Sequence, residues 1–132
     1  MKAFHLQIVT PDGPAYDGPA EKVLVRTTHG DVCILARHVD YVSALGMGEC
    51  QVTLEGGDVR RAACIGGMIT VSGGIVRVVA SAFEWAEDID VARAQRSKEK
   101  AEKALAHELS DRETRIMEAK LKRALVRLKV HG

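Results

Sequence analysis

Two sets of charged residues have the types and spacing that chemistry would need. In EDIDVARA (87–94), Asp90 and Arg93 stand three residues apart, and a helix would bring Lys100 onto the same face. Further along, Lys120, Arg123 and Arg127 fall at i, i+3 and i+7, again one helical face. Guanidinium groups arranged in this way hold phosphate oxygens through charge-assisted, often bidentate bonds. Spacing alone also supports a plainer reading. Asp90 would then cap a helix with Arg93 as its i+3 partner, and the second set would be a solvated face paired with Glu113 and Glu118.

A third group holds the ingredients of nucleophile or metal chemistry. Cys33, His38 and Asp40 supply a thiol, an imidazole and a carboxylate, and His29, Cys33 and His38 supply three potential ligands. No fourth ligand or recognised spacing accompanies them, and the segment itself reads as strand and loop. GGMITVSGG (66–74) lacks the G-x-x-x-x-G-K-[ST] order of a phosphate loop, so its glycines read as hairpin turns between β-branched runs. Nucleic-acid binding calls for a stronger positive balance and aromatic stacking groups. The chain is at only +1, and residues 89–132 contain no Phe, Tyr or Trp.

Two unlike stretches must position these side chains. Residues 1–88 carry 7 Lys/Arg against 11 Asp/Glu, whereas residues 89–132 carry 12 against 7. All 3 prolines and 11 of the 12 glycines precede residue 89. In the first stretch FHLQIVT (4–10) alternates apolar and polar residues, PDGP (11–14) is turn chemistry, and EKVLVRTT (21–28) reads as a second strand. Glycine pairs at 56–57, 66–67 and 73–74 then punctuate further β-branched runs. Short strands with frequent turns predict an antiparallel β-sandwich over residues 1–86, and five Phe/Trp/Tyr residues leave its core aliphatic.

Residues 87–132 predict two helices. Apolar positions 91, 94, 101, 104, 105 and 109 trace a stripe rich in alanine, begun by an Asp88 or Asp90 cap. Ser110 and Glu113 fit a capping box, and Met117, Leu121, Ala124, Leu125 and Leu128 line a second helix. Two helices of about 20 residues, each ~30 Å long and joined by about three or four residues, fold back as an antiparallel hairpin. Their thin apolar stripes bury little, so such a hairpin is an element that a ligand or partner can move.

Three cysteines at wide spacing, without C-x-x-C, suit buried thiols in a reducing compartment. There is no signal segment and no run of eighteen apolar residues. The expectation is therefore an intracellular protein that meets a membrane only through a partner.

The whole chain resembles the epsilon subunit of bacterial F-type ATP synthases. VTPDGPAYDG, THGDVCI, GGMITV, EDIDVARAQRSKEKAEKAL and KRALVRL follow in the family's order. The resemblance implies a β-sandwich followed by a helical hairpin, and a non-catalytic subunit of the central stalk. It implies docking on the gamma subunit and the c-ring, on the cytoplasmic side of the bacterial inner membrane. It further implies a hairpin that either folds against the sandwich or extends into the catalytic alpha/beta ring, where it opposes ATP hydrolysis.

Some family members bind ATP on the folded hairpin through an I/L-D-x-x-R-A motif. Here that motif is Ile89-Asp90-Val91-Ala92-Arg93-Ala94. The resemblance adds Glu84, Arg123, Arg127 and a further basic position occupied by Lys100, leaving any part for Mg²⁺ open. Lysine keeps the charge of the more usual arginine and loses its fork. The family's G-E-L-G-I and P-G-H-A-P are replaced by Gly30-Asp31-Val32-Cys33-Ile34 and Ala36-Arg37-His38-Val39-Asp40. The resemblance turns this region toward the rotor, so Asp31, Arg37 and His38 are candidate partner contacts. The competing reading is a free-standing nucleotide-binding regulator.

Overall fold

A computed structural model describes residues 2–132. The chain divides into two compact units, Met1–Trp85 and Ala86–Gly132. Among the described residues the first unit is a six-stranded sheet: β1 (Phe4–Thr10), β2 (Gly13–Thr27), β3 (Gly30–Leu35), β4 (Tyr41–Leu54), β5 (Val59–Ser72) and β6 (Ile75–Trp85). The strand order is β1-β6-β5-β4-β2-β3, and β1 also pairs with β2, so five strands close into a ring that β3 extends beyond β2. Closure depends on the 15-residue β2, whose first half pairs with β1 and whose second half pairs with β3 and β4.

The sandwich expected from alternation is present, with one pairing of unexpected sense. β1 and β6 run parallel, from His5 opposite Ile75 to Val9 opposite Val79. They lie at opposite ends of the unit's sequence, so no short hairpin dictates their direction. β2 also starts earlier than its apolar run predicts, at Gly13, and carries Pro14 and Pro19. Pro14 sits at the register shift beside Val9, where a missing N–H is tolerated.

Two turns are built alike. In Thr10-Pro11-Asp12-Gly13 and Thr27-Thr28-His29-Gly30, the threonine hydroxyl donates to the glycine carbonyl at 2.8 Å. The same oxygen accepts the amide two residues on at 3.1 Å. Both glycines have positive φ, 116° and 118°, a region that side chains disfavour.

The glycine pair 66–67 is not the hairpin turn that its flanks predict. It lies inside β5, while the turns fall at Gly56–Gly57 and Gly73–Gly74. A strand that stays in one layer buries residues two apart. Here the core residues change parity: Val71 and Ile69 give way to Cys64 and Ala62 on β5, and Leu45 to Cys50 and Val52 on β4. On β6, Val76, Val78 and Ala80 give way to Trp85. All three switches occur around Gly67, which pairs with Leu45 and Ala80. A Cβ there would stand 2.0 Å from the Val79 carbonyl oxygen. The pair therefore forms a corner at which the strands pass from one layer to the other. The core is aliphatic, led by Leu6, Ile8, Val23, Val25, Ile34, Val52, Ile69, Val76 and Val78. Each such side chain contributes about 1.5–3 kcal/mol by leaving water.

The second unit starts with a short 3-10 turn, Ala86–Asp88, followed by α1 (Val91–Leu105) and α2 (Asp111–His131). α1 is 15 residues, shorter than its apolar pattern predicts, because its last turn tightens. The Ala106 amide bonds both Glu102 and Lys103 carbonyls at 3.2 Å, and His107 bonds the Ala104 carbonyl. Residues 106–110 then form a connection longer than expected. Ser110 caps α2, its hydroxyl accepting the Glu113 amide at 3.2 Å and donating to the Glu113 carboxylate at 2.9 Å. The box is thus closed side chain to side chain. No helix among the described residues is long and apolar enough to cross a membrane.

Candidate functional site

Asp90 is the N-cap of α1, with extended backbone and a carboxylate that accepts the Arg93 amide at 3.0 Å. Its own carbonyl takes the Ala94 amide at 3.0 Å, which starts the helix. Asp90 therefore fixes where Arg93 leaves the helix, while the Arg93 side chain remains exposed. Ile89, just before the cap, is buried.

The buried residues of α1 are Ala94 and Ala101, and those of α2 are Ala124 and Val130. The alanines mark the line along which the two helices pack. At about 100° per residue, Arg93 and Lys100 lie about 100° from that line on α1. Arg127 and Arg123 lie about 60–100° from Ala124 in the same rotational sense. In an antiparallel pair, equal sense means the same side. The hairpin therefore gathers Arg93, Lys100, Arg123 and Arg127 on one side, with Arg93 and Lys100 exposed and Arg123 and Arg127 half-buried.

No ion pair or side-chain hydrogen bond engages Arg93, Lys100 or Arg123 among the described residues. Surface pairing does occur elsewhere on α1, between Gln95 and Glu99 and between Lys98 and Glu102. Glu113, a proposed partner of the basic face, is instead spent on the Ser110 cap. Glu84 belongs to the first unit, half-buried on β6 opposite Ala63.

The candidate partner contacts lie toward the two ends of β3, Asp31 near its start and Arg37 and His38 in the connection after Leu35. Asp31 is tied to Arg26 at 2.9 Å across the β2–β3 ladder. A side chain at Gly48 would meet Arg26, with a Cβ only 2.6 Å from the Arg26 Cβ. Arg37 holds φ at 63°, unusual for a residue with a side chain. His38 Nδ1 lies 2.7 Å from the Val39 carbonyl, and its ring meets Tyr41 edge-on. His29 reaches Thr28, and Asp40 accepts the Gly73 amide. The imidazoles and carboxylate of this region are thus turned to local backbone and turn contacts. No group of three ligand-type residues able to hold a metal occurs among the described residues.

One surface went unnoticed in the sequence. On the outer face of the sheet, Val9, Val79, Met68 and Ala44 stand in register across β1, β6, β5 and β4. Val9, Val79 and Met68 are 37%, 48% and 43% exposed, with Val42 and Ile75 exposed nearby. Arg77, bonded to Gln7 at 3.0 Å, lies in the next row, and a shallow groove of about 300 Å³ runs beside both. Each valine alone looks like ordinary strand composition; only the register lines them up.

A closed sheet with an apolar outer row, followed by a hairpin with cations gathered on one side, defines a two-part protein: a sheet platform and a helical arm. The chain belongs to the ATP synthase delta/epsilon chain family. Residues 3–86 match that family's beta-sandwich domain and residues 87–132 its long alpha-helix domain. The chain is 41% identical to the ATP synthase epsilon chain of Ruminococcus albus over 98% of its own length and 97% of the relative's. It is 39% identical to that of Caldanaerobacter subterraneus, covering 98% and 94%. The fold is shared with a chain of the Euglena gracilis mitochondrial ATP synthase (TM-score 0.84, 22% identity, 96% of this chain and 79% of that one). It is shared also with a chain of the Tetrahymena thermophila mitochondrial ATP synthase central stalk and c-ring (TM-score 0.71, 12% identity, 97% and 96%).

Proposed function

We propose that this chain is a non-catalytic subunit of the central stalk of an F-type ATP synthase, and that its hairpin is an ATP-sensitive regulatory arm. It would act at the cytoplasmic side of the bacterial inner membrane, held there by the complex. The sandwich serves as the docking platform. Its outer apolar row suits the gamma subunit, and Asp31 near one end of β3, with Arg37 and His38 beyond its other end, suits the c-ring. The near-complete coverage of relatives named ATP synthase epsilon chain supports this role over a free-standing nucleotide-binding regulator.

One observation carries the regulatory reading: Arg123 is half-buried without an acidic partner among the described residues, on the side where Arg93, Lys100 and Arg127 also lie. Like charges brought to one side repel, and a bound anion relieves that repulsion, most of all at the half-buried Arg123. A nucleotide polyphosphate supplies the charge, and the Asp90 carboxylate can accept from adenine or ribose donors. The four cations meet only while α1 and α2 lie side by side. A ligand bound there therefore favours the paired helices over an extended arm that reaches the alpha/beta ring. ATP at tenfold its dissociation constant contributes about 1.4 kcal/mol if the extended form does not bind. The test is hydrolysis by the reconstituted synthase at low ATP, with and without residues 89–132. Removal of the arm raises the rate; an unchanged rate rejects the brake. Failure of the chain to bind purified gamma subunit would favour the free-standing regulator.

A further inference from the structure

The chain passes from sheet to hairpin at Trp85, and the structure holds that residue from two directions. Arg60 lies on β5 two residues before Ala62, the register partner of Trp85. The Arg60 Cζ is 3.7 Å from the centroid of the Trp85 ring. Phe83 meets the same indole edge-on, with centroids 4.9 Å apart and planes at 89°. Between guanidinium and phenyl, Trp85 is only 8% exposed although it ends its strand.

Beyond Trp85 the ladder of backbone hydrogen bonds ends. Ala86–Asp88 is a single 3-10 turn with no buried residue, and the Ile89 amide reaches the Ala86 carbonyl at a long 3.4 Å. Regular structure resumes only at the Asp90 cap. Strand ends normally fray, and a large amphipathic side chain pinned on both sides is a means of stopping that. The cation–π contact strengthens when water is excluded, as it is around this indole.

We infer that Arg60 is a positioning residue for the hinge of the helical arm: by stacking on Trp85 it ends β6 sharply, so that freedom of the chain begins at Ala86 and not inside the strand. Loss of the stack would let the last ladder pairs open and move the pivot back toward Phe83. The arm would then swing from a longer, looser root. The inference needs no ligand and stands or falls separately from the nucleotide reading.

Hydrogen exchange on the intact chain tests it, with Arg60→Met, which keeps much of the apolar stem, and Arg60→Lys, which keeps the charge on a narrower head. The expected result for Arg60→Met is severalfold faster exchange confined to residues 83–90, easier quenching of Trp85 emission by acrylamide, and unchanged exchange in β1 and β2. Arg60→Lys should fall between it and the parent. If Trp85 becomes more quenchable while exchange at 83–90 stays as in the parent, the stack only shields the ring and the inference fails. If exchange rises uniformly through the sheet, Arg60 is a general stabiliser and the inference fails equally.

Discussion

Asp90 grips Arg93 by its backbone: the carboxylate accepts the Arg93 amide at 3.0 Å and leaves the guanidinium exposed. The two residues of the family motif thus have separable tasks, one setting the helix start and the other presenting charge. Asp90→Asn retains a capping oxygen and should keep α1 intact, whereas Asp90→Ala should destabilise its first turn by about 1 kcal/mol. Amide exchange at residues 91–95 reads the difference. Equal protection in both variants would show that the cap does not hold the helix start.

The nucleotide reading predicts loss with either arginine. Arg93→Ala and Arg123→Ala should each weaken ATP binding about tenfold or more, the usual effect of removing a hydrogen bond to a charged group. Lys100→Arg should tighten it by restoring a bidentate fork. Calorimetry measures the affinities, and Trp85, the only tryptophan, offers a second signal near Glu84. A parent protein that gives neither heat nor emission change with several millimolar ATP has no such site.

Gly67 should be the least replaceable glycine. A Cβ there would lie 2.0 Å from a carbonyl oxygen at φ 120°, so Gly67→Ala adds a backbone clash to conformational strain. Gly56→Ala shares the strain at φ 102° but meets open space. The expected losses are about 1–2 kcal/mol at Gly56 and clearly more at Gly67, read by urea unfolding. Similar losses at both positions would mean that β5 has no tight corner.

The same glycines show where sequence reading stopped. The Gly66–Gly67 pair and the Gly73–Gly74 pair both flank β-branched runs, and nothing in the string separates a turn from a corner. The difference lies in how β4 and β6 register against β5. The outer row of Val9, Val79 and Met68 escaped notice for the same reason. The parallel pairing of β1 and β6 joins segments too far apart in sequence for any local signal. Local physics was legible where it decided the outcome. Alternation placed β1, and the acids before an apolar-periodic run narrowed the cap to Asp88 or Asp90, of which the helix uses Asp90. Ser110 and Glu113 marked the start of α2. The end of α1 was not legible, because Leu105 and Leu109 continue the apolar period past the point where the backbone tightens.

Thiol chemistry should separate by burial. Cys33 is exposed, while burial pushes Cys50 well above the usual thiol range and Cys64 up to about 12. Ellman's reagent should therefore titrate one thiol in the native protein and three after unfolding. Both buried thiols hold their protons more tightly when folded, so stability is fully present below the unfolded thiol pKa of about 8.5 and falls as pH rises toward 12. Each contributes a slope of up to about 1.4 kcal/mol per pH unit in that window. Cys64→Ala should flatten the decline; an unchanged slope would assign alkaline unfolding to other groups.

The proposed docking of the outer apolar row on the gamma subunit predicts a variant that folds and does not assemble. Met68→Asp and Val79→Asp place charge at exposed outer positions and should leave the unfolding midpoint nearly unchanged. Co-purification with the gamma subunit should fall at least tenfold. Retained assembly would move the interface to another face.

The shared ladder of β2 has a mechanical consequence. Its first half bonds β1 and its second half bonds β4, and β1 returns through β6 and β5 to the same β4. A force applied to any one of these five strands meets hydrogen bonds on both flanks and has no open seam from which to unzip. Load entering at one strand is divided around the ring in both directions, so the sheet answers it as one stiff piece.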